Sequence, residues 1–155
     1  MFTFDIYGNL TPNVATETSI EMIDDYFVKP FAKSVTRSEL FASLSDFLNE
    51  IITLFKSEIT IFIDGSFVTN KFNPNDIDVV IFADYQLIEL HKAQINALKL
   101  RNEYKKVDVY FEMVYPENHL FYVRYYSDLL YWNQLFTRSR QNRAKGYLTL
   151  KMYGN

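Results

Sequence analysis

"ITIFIDGSFVTNKFNPNDIDVVIFAD", residues 59–84, is the stretch on which the fold turns. Residues 59–66 are β-branched and aromatic, too few for a helix, and run into Gly65, which predicts a strand. Residues 77–84, "IDVVIFAD", predict a second. At the entrance to that second strand stand Asp76 and Asp78, one residue apart. Side chains alternate along a strand, so both carboxylates project from one side, about 7 Å apart along the chain. Two ionised carboxylates that close repel each other and are costly to desolvate, so a positive charge belongs between them.

Upstream, "TRSELFASLSDFLNEIITLF" (36–55) repeats Leu40, Leu44, Phe47, Leu48, Ile51, Ile52 and Phe55 at helical steps, with Thr36 and Glu39 spaced as a capping box. Before it, "TSIEMIDDYF" (18–27) predicts a shorter helix with a Thr18–Glu21 capping box, ended or interrupted by Pro30, and "YGNLTPN" (7–13) reads as turn chemistry. Downstream, Leu87, Ile88, His91, Ile95 and Leu98 predict one amphipathic helix within 85–104, and "VDVYFEMV" (107–114) a third strand. A last helix is expected to begin at Ser127, and "GYLTLKMY" (146–153) to form a final edge strand. Helices and strands in this order predict an α+β fold, a small mixed β-sheet flanked by helices. One domain is expected over residues 1–155, with a core at 36–114 and the segments 1–35 and 115–155 packed on it.

Composition narrows the function classes. Of the 155 residues 48% are hydrophobic and 17% aromatic, far above what a disordered chain carries. The absence of cysteine excludes disulfides, thiolate metal sites and cysteine nucleophiles and suits a reducing compartment. The start "MFTFDIYGNL" lacks the basic and apolar regions of a leader, and no apolar run approaches a membrane span, so a cytoplasmic protein with no membrane partner is expected. A formal net charge of −3 argues against nonspecific coating of nucleic acid.

If the third strand lies beside the second, Asp108 joins Asp76 and Asp78 on one face. Magnesium is the natural counterion, because it takes oxygen ligands and keeps positions open for water and substrate phosphate. Three carboxylates can hold two such ions about 4 Å apart, one activating a hydroxyl and one neutralising a leaving pyrophosphate. Gly65 lets the backbone approach an anion closely, and Ser66 can donate to a phosphate oxygen.

Gly65, Ser66, Asp76, Asp78 and Asp108, each with hydrophobic neighbours, resemble the signature of the nucleotidyltransferase superfamily that includes DNA polymerase beta, the CCA-adding enzymes and the minimal nucleotidyltransferases of toxin–antitoxin modules. More loosely, "YGNLTPNV", "TSIEMI" and "RAKGYLTL" look like the ends of small stand-alone bacterial nucleotidyltransferase-like proteins. The resemblance implies a polymerase beta-like fold and transfer of a nucleoside monophosphate from a nucleoside triphosphate to a hydroxyl. It implies magnesium, with manganese as the alternative ion, held by Asp76, Asp78 and Asp108, and a triphosphate held by Gly65 and Ser66. The acceptor would be a partner protein, a tRNA or other RNA, or a small molecule, in a toxin–antitoxin or phage-defence setting. The rival reading is a catalytically silent module of the same fold that binds a nucleotide or docks a partner.

"TRSRQNRAKG" (137–146) gathers Arg138, Arg140, Arg143 and Lys145, either as a solvated helix end or as a phosphate or RNA contact; Arg143 and Lys145 are the nucleotide-binding candidates. Asp64 reads as a strand-end residue rather than a ligand. Glu112 reads as solvated or paired with a base, and His91 as a hydrogen-bonded packing residue. Tyr122, Tyr125 and Tyr126 read mostly as core, with base stacking beside Arg124 as the alternative.

Overall fold

Alternate residues of one strand, Ile77–Asp84, enter two different cores, and the chain is organised around that strand. The computed structural model describes residues 2–154. In chain order the elements are β1 (Thr3–Phe4), β2 (Leu10–Thr11), β3 (Ala15–Glu17), α1 (Ile20–Phe27), α2 (Arg37–Phe55), β4 (Ile59–Asp64), β5 (Ile77–Asp84), α3 (Tyr85–Leu90), α4 (Lys92–Lys99), β6 (Val107–Val114), α5 (Tyr122–Phe136) and β7 (Tyr147–Met152). Five strands form one mixed sheet in the order β3-β7-β4-β5-β6. β4 runs antiparallel to both β5 and β7, whereas β5–β6 and β3–β7 are parallel pairs. The fold is therefore α+β, with β1 and β2 forming a separate small hairpin.

On one face Ile61, Ile63, Ile77, Val79, Ile81, Val109, Leu148 and Leu150 pack with the buried stripe of α2, Leu40, Leu44, Phe47, Leu48, Ile51 and Phe55. On the other, Phe62, Val80, Phe82 and Tyr147 meet Trp132 and Phe136 of α5. Period two in the strands and period 3.6 in the helices produce this division. Among the described residues no helix is long and apolar enough to cross a membrane.

β5 and β6 have the bounds expected from sequence, and β4 stops at Asp64, releasing Gly65 and Ser66 into a tight turn. Other expectations are corrected. β7 is interior, between β3 and β4, because Ala15–Glu17, just after the segment read as turn chemistry, forms a short strand that pairs with it. The single helix expected within 85–104 breaks at His91 into α3 and α4. α5 begins at Tyr122, so Ser127 lies inside it. Ser19, not Thr18, caps α1 by accepting from the Met22 N–H. Thr36 occupies the cap position of α2 without making the side-chain bond, and Ser34 Oγ accepts from the N–H groups of Thr36 and Arg37 instead.

Candidate active site

Three aspartates stand in register across the sheet. Asp64, the last residue of β4, pairs with Asp78 of β5, and Asp78 pairs with Asp108 of β6. Cross-strand partners share a face, and by parity this is the face α5 covers, since Phe62, Val80 and Tyr110 form the next row. Asp76 precedes β5 by one residue and is exposed, as is Asp108; Asp78 is half-buried and Asp64 buried. The expected neighbourhood of the second and third strands is thus observed, and it brings Asp108 beside Asp78.

Gly65 is what lets this row form. Its φ of 90° lies where side chains are rarely tolerated, and a Cβ there would stand 2.9 Å from Asp78 Oδ2. The missing side chain is a notch that the Asp78 carboxylate fills. Beyond it Ser66–Val68 make a single 3-10 turn, with the Val68 N–H on the Gly65 carbonyl and the Thr69 N–H and hydroxyl on that of Ser66.

This turn is fixed from beneath by a residue sequence reading missed. Arg37, the first residue of α2, is fully buried, and its guanidinium donates to the carbonyls of Phe27, Phe67, Thr69 and Lys71. It also lies 4.0 Å from the centre of the Phe31 ring. Burial lowers its pKa to about 10. One side chain thereby satisfies the backbone of the linker that leads to Asp76. Polar residues at the start of a helix are common, and nothing local marks this one as buried.

The basic run is likewise not where sequence put it. α5 ends at Phe136, and residues 138–144 form a loop closed by a bridge between Arg138 and Ala144 and by the Ser139 N–H on the Arg143 carbonyl. Lys145 is buried and donates to Asp64 Oδ1, so its ammonium is already engaged inside the protein. Arg143 lies over the ring of Tyr7 at 3.8 Å, on the tip of the β1–β2 hairpin. The cations whose charge reaches Asp78 are Lys145 and Arg140.

Burial raises the Asp78 pKa, repulsion from Asp76 and Asp108 adds to it, and Lys145 and Arg140 oppose it. For Asp64 burial dominates, bringing its pKa to about 6 against the pull of Lys145. Other readings are corrected here. Glu112 is half-buried and makes no ion pair among the described residues; it accepts from Trp132 Nε1 at 3.1 Å, and burial raises its pKa. His91 packs against Phe55, but its buried Nδ1 has no hydrogen-bond partner among the described residues. Tyr125 packs on Phe82 as core, whereas Tyr126 is exposed.

Asp76, Asp78 and Asp108 are the residues that could hold a metal, and their oxygen-only donor set beside the Gly65 notch fits a hard divalent cation. Among the described residues, no three acidic or histidine side chains are already drawn together into a ligand cluster. The chain belongs to DUF6932, a family of unknown function, which it matches over residues 2–151. Among curated proteins and among solved structures, nothing matches it.

Proposed function

We propose that this chain is a magnesium-dependent nucleotidyltransferase of the polymerase beta-like fold. The supporting observation is the registered pair Asp78–Asp108, with Asp76 on the same side and the Gly65–Ser66 turn against Asp78. Asp76, Asp78 and Asp108 would hold the metal, which supplies positive charge to an attacking hydroxyl and to a leaving pyrophosphate. Gly65 and Ser66 offer a triphosphate close backbone approach and a hydroxyl donor. Arg140, which makes no ion pair among the described residues, acts on Asp78, whereas Lys145 is paired with Asp64. Asp108, the exposed member of the row, accepts the proton of the acceptor hydroxyl. The hydroxyl oxygen bonds to the α-phosphorus, the bond from that phosphorus to the bridging oxygen breaks, and pyrophosphate leaves.

The test is transfer of labelled nucleotide, with magnesium, to protein and RNA acceptors of a host lysate. Asp108→Asn keeps volume and removes charge, so the fold and triphosphate binding are expected to survive while transfer falls about 10³-fold, equivalent to about 4 kcal/mol. Equal transfer by the variant would defeat the assignment of Asp108. Magnesium-dependent triphosphate binding with no transfer by the native chain would instead favour a silent nucleotide-binding module.

A further inference from the structure

Residues 7–10 touch both rims of the candidate site. Asp5 Oδ1 accepts from the N–H groups of Tyr7 and Asn9, and the Gly8 N–H donates to the Asp5 carbonyl. The tip of the β1–β2 hairpin is therefore a closed turn, and Tyr7 on it is 58% exposed. On one side the tip meets the linker that leads to Asp76. The Asn70 N–H donates to the Gly8 carbonyl, and the Asn70 side chain fills the space that a Cβ on Gly8, at φ 81°, would need. On the other side it meets the basic loop, where the Gly146 N–H donates to the Leu10 carbonyl and the Arg143 guanidinium lies over the Tyr7 ring.

The basic loop is itself a tight hairpin. Its turn, residues 139–142, is closed by the Asn142 N–H on the Ser139 carbonyl, with Asn142 left-handed at φ 59° and Ser139 Oγ accepting from the Arg143 N–H. Arg140 and Gln141 stand at the exposed tip. The loop's exit is pinned by Lys145 on Asp64, which pairs across the sheet with Asp78. Among the described residues Arg138, Arg140 and Arg143 make no ion pair, although the row of acids lies at this end of the sheet.

We infer that the β1–β2 hairpin is a strap joining the two rims, and that Tyr7 is a positioning residue: by holding Arg143 it keeps the tip cation Arg140 within reach of the outer phosphates of a bound triphosphate. The inference rests on the proposed reading of the site. The turn fixes Arg140 relative to Arg143, three residues on, so what anchors Arg143 anchors the tip. A cation held in place before the anion arrives loses less freedom on binding than one on a loose loop. Arg140 also lowers the pKa of Asp78, so its charge is felt at the metal end of the row.

Inorganic triphosphate with magnesium, titrated into the full chain by calorimetry, tests the phosphate contacts without a base or an acceptor. Tyr7→Ala is expected to bind it about fivefold more weakly than the native chain, the worth of one exposed cation–π contact, with an unchanged circular dichroism spectrum. Tyr7→Phe keeps the aromatic face and should bind as the native chain does. Arg143→Met should lose at least as much as Tyr7→Ala, and in its background Tyr7→Ala should cost nothing further, because both changes release the same contact. Trypsin gives a readout that needs no ligand. Cleavage after Arg138 or Arg140 should be about fivefold faster in Tyr7→Ala, because the loop opens more often. Equal binding by the native chain and Tyr7→Ala, no rescue by Tyr7→Phe, additive losses in the double variant, or an unaltered cleavage rate overturns the inference and leaves the proposed function standing. A native chain that binds no triphosphate overturns that reading of the site and this inference with it.

Discussion

The two faces of the sheet each bury a cation, and they hold it differently. On the face covered by α1 and α2, Arg37 is held by four backbone carbonyls and by the rings of Phe31 and Phe67, and among the described residues no carboxylate pairs with it. On the face covered by α5, Lys145 is held by the Asp64 carboxylate, at the end of a row of acids. The first face is a continuous hydrocarbon core, so a charge there survives only by replacing water with backbone dipoles over its whole perimeter. The second has six buried hydrophobic residues, and its cover stops short of the strand ends, where Asp78 and Asp108 retain solvent. Binding chemistry belongs where the cover is incomplete, and rigidity comes from the face where it is not. The linker from Gly65 to Asp76 is anchored to the rigid side by Arg37 and opens on the other.

Removing the guanidinium tests this contrast most severely. Arg37→Met keeps length and apolar packing but leaves the carbonyls of Phe27, Phe67, Thr69 and Lys71 without donors. Each buried orphan costs about 1–3 kcal/mol, and together they should cost on the order of 5 kcal/mol, comparable to the stability of a whole domain. Urea denaturation measures it. A loss below about 1 kcal/mol would mean that the linker is not held from beneath.

The ion pair should respond less, and with a pH signature the first site lacks. Lys145→Met strands Asp64 and should cost about 3 kcal/mol near neutrality, whereas Asp64→Leu with Lys145→Met should be milder than either single change. The sign follows from Asp64. Its folded pKa of about 6 lies above the ordinary 3.8, so its stabilisation is full below 3.8 and is lost as pH rises through 6. Without Lys145 that pKa rises further, and the cost of Lys145→Met should therefore vanish as the pH is lowered and the stranded carboxyl takes a proton. A penalty independent of pH would mean that Lys145 acts through packing on Phe136 rather than charge.

Smaller again is Gly65→Ala. A positive φ and a Cβ 2.9 Å from the Asp78 carboxylate should together cost about 1–3 kcal/mol. The displaced carboxylate should lower magnesium affinity, measured by calorimetry, by more than the loss of stability explains. Unchanged affinity would separate the notch from the candidate metal site.

How much of this could be read from the sequence depends on how far apart the interacting residues lie. β5 was legible to the residue because a strand buried on both faces is a continuous β-branched and aromatic run, and the edge strand β6 because Val107 and Val109 alternate with exposed residues. The Gly-Ser and Asp-x-Asp spacing was legible for the same reason: it is local. Whether β7 is an edge or an interior strand is not local, because it depends on Ala15–Glu17 pairing with a segment more than a hundred residues later. Asp64 looks like any strand-end acid until Lys145, 81 positions away, is brought against it. Arg37 is invisible for a related reason, since its partners are carbonyl groups, which every residue has. The break at His91 was missed because the apolar positions on either side keep a helical period across a junction that α3 and α4 make without a proline or glycine.

The smallest effect concerns the partly covered face itself. Glu112 accepts from Trp132, the only tryptophan of the chain, so the indole reports the charge state of that carboxylate. Burial raises the Glu112 pKa above the ordinary 4.5, Asp128 pushes the same way, and the indole N–H opposes them. A raised carboxylate contributes its stabilisation below the ordinary value and loses it as pH rises through the folded one, so the ionised form is a mild liability at neutral pH. Glu112→Gln keeps an acceptor for the indole and removes the charge. It is therefore expected to stabilise the protein by under about 1 kcal/mol near pH 7 and to give no gain near pH 4. Tryptophan emission of the native chain should show a titration centred above 4.5 that is missing from the variant. A transition at or below that value would show that water reaches Glu112 freely, and that α5 shields its face of the sheet less than the packing of Trp132 indicates.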